Sequence, residues 1–165
     1  MLWNEKVPVK TKGTLFKTYF VPIIMYSLET IMINNRQSSK LQAAEMKFLR
    51  SALQKIKKDK IRNDRIREEM RVEKSLNLRI RESRLRWYGH VRRMEESRTA
   101  KKWLDKEIQG KRSRGRPCKR WKEQVAEDCT VKGWDKEVLD REEKWKDKKE
   151  WRRLIHTRAT GVENR

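Results

Sequence analysis

The sequence predicts a mainly α fold: several amphipathic helices around a thin core, with a basic Gly/Pro-containing loop at about 110–119. Three observations carry this. Only 35% of the 165 residues are hydrophobic while 42% are charged, enough for a thin core and no thick one. Three prolines and six glycines leave long stretches free for helix, and no segment alternates polar and apolar residues as a half-buried strand does. Seven tryptophans mark a chain that folds, since disordered chains are poor in aromatics.

Leu15 to Ile33, LFKTYFVPIIMYSLETIMI, is the most apolar segment. A helix is expected to end near Phe20, because the residue before Pro22 is pushed towards extended geometry. Ile23 to Ile33 then reads equally as helix or buried strand. Ser38 and Ser39 are expected to cap the next helix. In it Leu41, Ala44, Phe48, Leu49, Ala52, Leu53 and Ile56 form one apolar stripe, with Lys40, Lys47, Arg50 and Lys57 off it. Asn63 is a candidate cap for a short helix, Asp64 to Met70.

Ser75 to Met94 reads as a longer amphipathic helix. Leu76, Ile80, Trp87, Val91 and Met94 recur at helical spacing, and arginines crowd the remainder. Gly89 costs that helix about 1 kcal/mol relative to alanine and allows a close approach by another backbone. Thr99 to Ile108 is a short amphipathic piece. Arg120 to Asp128 reads as a helix with Trp121 and Val125 one turn apart, and Gly133 punctuates. Asp135 is expected to cap a helix running to about Asp147. Trp151, Leu154 and Ile155 form a last apolar patch. Residues 132–165 hold 11 basic and 8 acidic side chains, so the charge excess lies before them and this tail reads as structural.

The 45 Lys and Arg outnumber the 24 Asp and Glu, giving a net charge of +21. Such a charge repels itself in any compact state, and a bound polyanion relieves it. Cys118 and Cys129 are spaced as C-x10-C, which fits no zinc pattern, and two cysteines make no disulfide scaffold. No secretory signal opens the chain. The longest uncharged run, Thr18 to Leu28, falls well short of the roughly 20 residues that span a bilayer. A nuclear or cytoplasmic protein is expected, without a membrane partner.

Catalysis finds little support in the residues. Metal-dependent nucleotidyl transfer needs clustered aspartates, and no two aspartates here are adjacent. No P-loop occurs, and no metal or other cofactor is expected. His90 and His156 are the only histidines. His90, in WYGHV, suits either a phosphate or base contact or a structural hydrogen bond.

Binding is better supported. Arg84 to Met94, RLRWYGHVRRM, interleaves Arg84, Arg86, Arg92 and Arg93 with Trp87, Tyr88 and His90. Guanidinium groups grip phosphate in a bidentate manner, and aromatic faces stack on unpaired bases. The competing reading buries Trp87 and Tyr88 and leaves a basic face. Gly110 to Lys122, GKRSRGRPCKRWK, carries Lys111, Arg112, Arg114, Arg116, Lys119, Arg120 and Lys122 with no carboxylate, and ends in Trp121, a ring free to stack. Its RGRP matches the core of an AT-hook, in which Arg-Gly-Arg lies along a narrow A·T minor groove.

Five ordered blocks resemble one family: WNEKVPVKTKGTLFKTYFVPIIMYSLET, LQAAEMKFLR, IRNDRIREEM, RLRWYGHVRRM and GKRSRGRPCKRW. Together they are similar to the C-terminal region of the endonuclease–reverse transcriptases of non-LTR retrotransposons, from about Trp3 to Leu154. The resemblance implies a palm–thumb junction remnant at 1–33, a basic helical thumb-like region at 34–109, the cationic loop at 110–122 and C-terminal helices at 123–165. It implies that the helices hold template RNA and nascent DNA through their backbones, beside a palm domain absent here. The catalytic Asp-Asp motif and the endonuclease would lie upstream, so a non-catalytic fragment is expected. The family commonly has Tyr-Gly-Ser-Glu-Thr-Trp where this chain has Tyr26-Ser27-Leu28-Glu29-Thr30-Ile31, and some relatives carry a zinc knuckle that this chain lacks. Two further readings stand beside it: an AT-hook-like architectural DNA-binding protein, and a decayed open reading frame with no selected role.

Overall fold

The computed structural model describes residues 6–106, 114–115 and 119–157. The fold is mainly α, and no strand occurs among the described residues. In order the helices are α1 (Val9–Leu15), α2 (Val21–Met25), α3 (Asn35–Ala52), α4 (Asn63–Glu69), α5 (Leu76–Arg92), α6 (Thr99–Asp105), α7 (Trp121–Val131), α8 (Glu142–Lys146) and α9 (Lys148–His156). They belong to two compact units. One gathers the described residues up to Leu28 with Ile33–Ile80, the other Glu29–Met32 with the described residues from Arg81 on.

In the first unit, helix does not stop before Pro22. Phe16–Phe20 forms a π turn between α1 and α2, and the Val21 N–H donates to the Phe16 carbonyl five residues back. The wider turn gives the proline ring the space that an α turn denies it, so Val21 keeps helical geometry. Helix ends at Met25, and residues 26–30 are turn rather than strand, with Ser27 at a φ of 61°. Asn34, and neither Ser38 nor Ser39, caps α3: its side chain accepts from the Gln37 N–H while the Gln37 side chain accepts from the Asn34 N–H, at 2.8 and 2.9 Å.

Phe16, Val21, Met46, Leu49, Ala52, Ile66, Met70, Val72 and Leu76 make the core of this unit. Phe16, Phe20 and Phe48 pack with centroids 4.7–5.3 Å apart. Gly13 meets the Met70 backbone, where a Cβ would stand 2.5 Å from the carbonyl oxygen. Ile56 falls off the expected stripe: α3 ends at Ala52, and Ile56 is 57% exposed. Asn63 is not the cap of α4 but lies inside it, and its Oδ1 accepts from Arg50. Two buried polar groups are locked in place. Arg67 donates to both oxygens of Glu45, each at 3.2 Å, and the Lys12 Nζ donates to the last α3 carbonyl, Ala52, at 3.0 Å. Tyr19, Ile23 and Tyr26 are exposed by 66%, 72% and 82%, an uncovered apolar row at helical spacing.

The second unit closes around Leu85, Tyr88, Val125, Cys129, Leu139, Trp151 and Ile155. α7 ends as its sequence predicts: Gly133 sits at a φ of 73°, its N–H bonded to Thr130 and that of Trp134 to Cys129. The single helix expected from Asp135 to Asp147 is instead a 3-10 turn, Lys136–Leu139, followed by α8. Asp147 starts a new helix, accepting from the N–H groups of Lys149 and Glu150 at 2.7 and 3.4 Å. No helix among the described residues is long and apolar enough to cross a membrane.

Candidate nucleic-acid interface

Arg86, His90 and Arg93 stand at i, i+4 and i+7, so one face of α5 and its extension carries them together. α9 faces the same space. Arg86, Trp87, His90 and Arg93, with Lys148, Trp151 and Arg152, line a cleft of about 310 Å³, completed by Ser83 and Glu29. The approach of Trp151 to α5 depends on Gly89. Trp151 fills the space a side chain would need, and its Nε1 donates to the Leu85 carbonyl at 2.9 Å. Gly89 therefore admits a tryptophan ring, not the backbone expected.

The cleft is cationic and poorly neutralised. Arg86, Lys148 and Arg152 are exposed, and none has a carboxylate partner among the described residues. Arg93 is half-buried, and its Nη1 donates to the Trp145 carbonyl. Burial and the neighbouring charge of Arg152 pull its pKa below the usual guanidinium value, against a smaller opposing pull from Asp147. Two guanidinium groups thus sit close enough to repel, an arrangement that an anion relieves. Trp87 is half-buried, and its ring lies 5.4 Å from the His90 ring at 50°. Glu29 is the single carboxylate in the lining.

Other candidate residues have different work. Arg84 is 2% exposed and held 2.6 Å from Asp128, so it leaves the phosphate-contact set. Its Nε has no hydrogen-bond partner. Burial pushes the Asp128 carboxyl up to about 6, against the opposing pull of Arg84 and Arg81. Arg92 is tied down too: its Nε donates to the Tyr88 hydroxyl at 2.9 Å and its Nη1 to Asp105 at 2.9 Å. Tyr88 is wholly buried and donates to the Leu139 carbonyl at 2.9 Å. Trp121 is no free stacking platform. Its ring stacks on Tyr88 at 6.4 Å and its Nε1 donates to the Glu29 carbonyl at 2.9 Å.

Of the cationic loop, Arg114 and Arg120 are exposed, and Lys119 pairs with Glu127. Gly115 has a φ of 124°, which demands glycine. Lys111, Arg112 and Arg116 lie outside the described residues. The sequence reading missed Lys148 and Arg152. Their signal was present: two cations at i, i+4 beside Trp151, in a tail whose nearly balanced charge concealed its segregation by face. Among the described residues, no group of three His, Cys, Asp or Glu side chains is placed to hold a metal.

These features define a helical, strongly basic chain with a concave, aromatic-floored cationic cleft. No family model, curated protein or solved structure matches it.

Proposed function

We propose that this chain is a non-catalytic, nucleic-acid-binding segment of the C-terminal region of a non-LTR retroelement reverse transcriptase, gripping phosphates by charge. The cleft between α5 and α9 carries the binding part of this reading. It gathers Arg86, Arg93, Lys148 and Arg152 against one carboxylate, in a chain of net charge +21. The retroelement part rests on the five ordered sequence blocks, and two features accord with it. The helical fold suits a region that follows a polymerase palm. The exposed row Tyr19, Ile23 and Tyr26 suits a surface that another domain covers.

The test is a salt titration of duplex and RNA binding by the whole chain. Engagement of about six phosphates gives a log–log slope near −5 on duplex DNA. Arg86→Ala with Arg152→Ala should weaken binding and flatten that slope by about 2. A slope near zero in the unaltered chain removes the proposal. So does nucleotide incorporation by the chain alone, as far as its non-catalytic part is concerned.

A further inference from the structure

Resting on the nucleic-acid reading, we infer that the α5–α9 cleft receives a single unpaired nucleotide, its phosphate between Arg93 and Arg152 and its base against Trp87. The first ground is size. About 310 Å³ lies at the small end of the range for ligand pockets, roughly 300–1,000 Å³. It suits one nucleotide, whereas a duplex, with its bases stacked inside, offers the cleft only its phosphates. The second is the ring. Trp87 is half-buried in the cleft lining, its ring 5.4 Å from that of His90, so a flat group that enters meets an aromatic wall. A paired base offers groove edges; an unpaired base offers its face.

The third ground is the pair of guanidinium groups. Arg93 is fixed through the Trp145 carbonyl and feels the charge of Arg152, which has no acidic partner among the described residues. A phosphate between them replaces repulsion by two charge-assisted contacts. The site is also built before any ligand arrives. Gly89 leaves just the space that Trp151 occupies, and a Cβ there would stand 3.1 Å from Arg93 Nη1. Glu29 opposes anion entry and so offers a handle in the other direction.

The experiment measures, on the full chain, the affinity for a labelled single strand and for a duplex matched in phosphate number. The single strand should bind more tightly. Trp87→Leu should weaken single-strand binding by about five-fold or more, the loss of one stacked base, and leave the duplex unchanged. Trp87→Phe, which keeps a ring and most of the packing, should retain most of the affinity. Glu29→Gln should tighten single-strand binding. A nucleoside 5′-monophosphate that competes at sub-millimolar concentration would assign the pocket to free nucleotide. One that competes only at millimolar concentration would assign it to a strand. Equal wild-type affinity for both probes overturns the nucleotide pocket, as do equal losses on both probes for Trp87→Leu or a Trp87→Phe as weak as Trp87→Leu. Salt-dependent binding that survives those outcomes leaves the phosphate grip standing. Absence of binding to either probe removes both.

Discussion

Gly89 and Trp151 occupy what is in effect one site: a Cβ on Gly89 would fall well inside contact distance of the indole Nε1, which donates to the carbonyl of Leu85. Helix propensity alone favours Gly89→Ala by about 1 kcal/mol. Overpacking costs about 1–3 kcal/mol, and the displaced indole also loses its bond to Leu85. The expected net result is a less stable protein, read as a lower urea midpoint. A gain in stability would show that Trp151 yields freely.

Arg84 and Asp128 form an asymmetric buried pair. The Asp128 carboxyl has a folded pKa of about 6 against its ordinary 3.8. Between those values the folded state holds a proton that the unfolded chain has released. The stability contributed by this group is therefore full below about pH 4, falls as pH rises to 6, and is level above. Asp128→Asn, an uncharged mimic, should remove that fall, and at pH 8 should cost stability because it leaves the buried Arg84 guanidinium without its counter-charge. Arg84→Met should cost about 3–5 kcal/mol at pH 8, because it strands a buried carboxylate, and less at pH 5. Urea unfolding of the three proteins across this range decides it.

Cys129 is wholly buried, and burial with the nearby Asp128 carboxyl pushes its thiol up to about 12. A Cys118→Ser chain should be inert to an aromatic disulfide reagent at pH 8 and release one equivalent of thiol on unfolding. Rapid reaction in the native state would mean that α7 opens readily.

Tyr88→Phe removes one hydroxyl that serves two partners, the Leu139 carbonyl and the Arg92 Nε. The Leu139 carbonyl keeps its bond from Trp145 Nε1 at 3.1 Å, so the loss falls on the Arg92 Nε. An unpaired buried group costs about 1–3 kcal/mol, and a calorimetric melt should show it. An unchanged melting temperature would mean that Arg92 finds another partner.

Where a residue's surroundings are local, the sequence was readable. Gly133 ends α7 because glycine takes a positive φ at no steric cost, and Leu76, Ile80 and Val91 of the expected α5 stripe are buried, while Trp87 and Met94 of the same stripe are only half-buried. Caps were misread where two polar candidates competed: Asn34 with Gln37 three residues on wins over Ser38 and Ser39 because both members of the box bond at once. Among the site residues, Arg86, Trp87, His90 and Arg93 were legible as candidates in RLRWYGHVRRM, but the apolar spacing sets Trp87 on the apolar stripe and not with them. Arg84 was not separable from them, because its burial depends on Asp128, 44 residues away. Lys148 and Arg152 share that problem in reverse, since only tertiary packing brings α9 to the α5 cleft.

The π turn at Phe16–Phe20 has a bearing on which changes of length this protein can survive. It holds one residue more than an α turn needs, so an in-frame loss of a single codon there would leave a regular helix behind it. The flanks would stay nearly in phase, because a π turn spreads its extra residue over about the same rotation as an α turn. Lys12 would still face the Ala52 carbonyl and Gly13 the Met70 backbone. The cost of the deletion would fall on Pro22, whose ring would then meet the crowding that an α turn imposes.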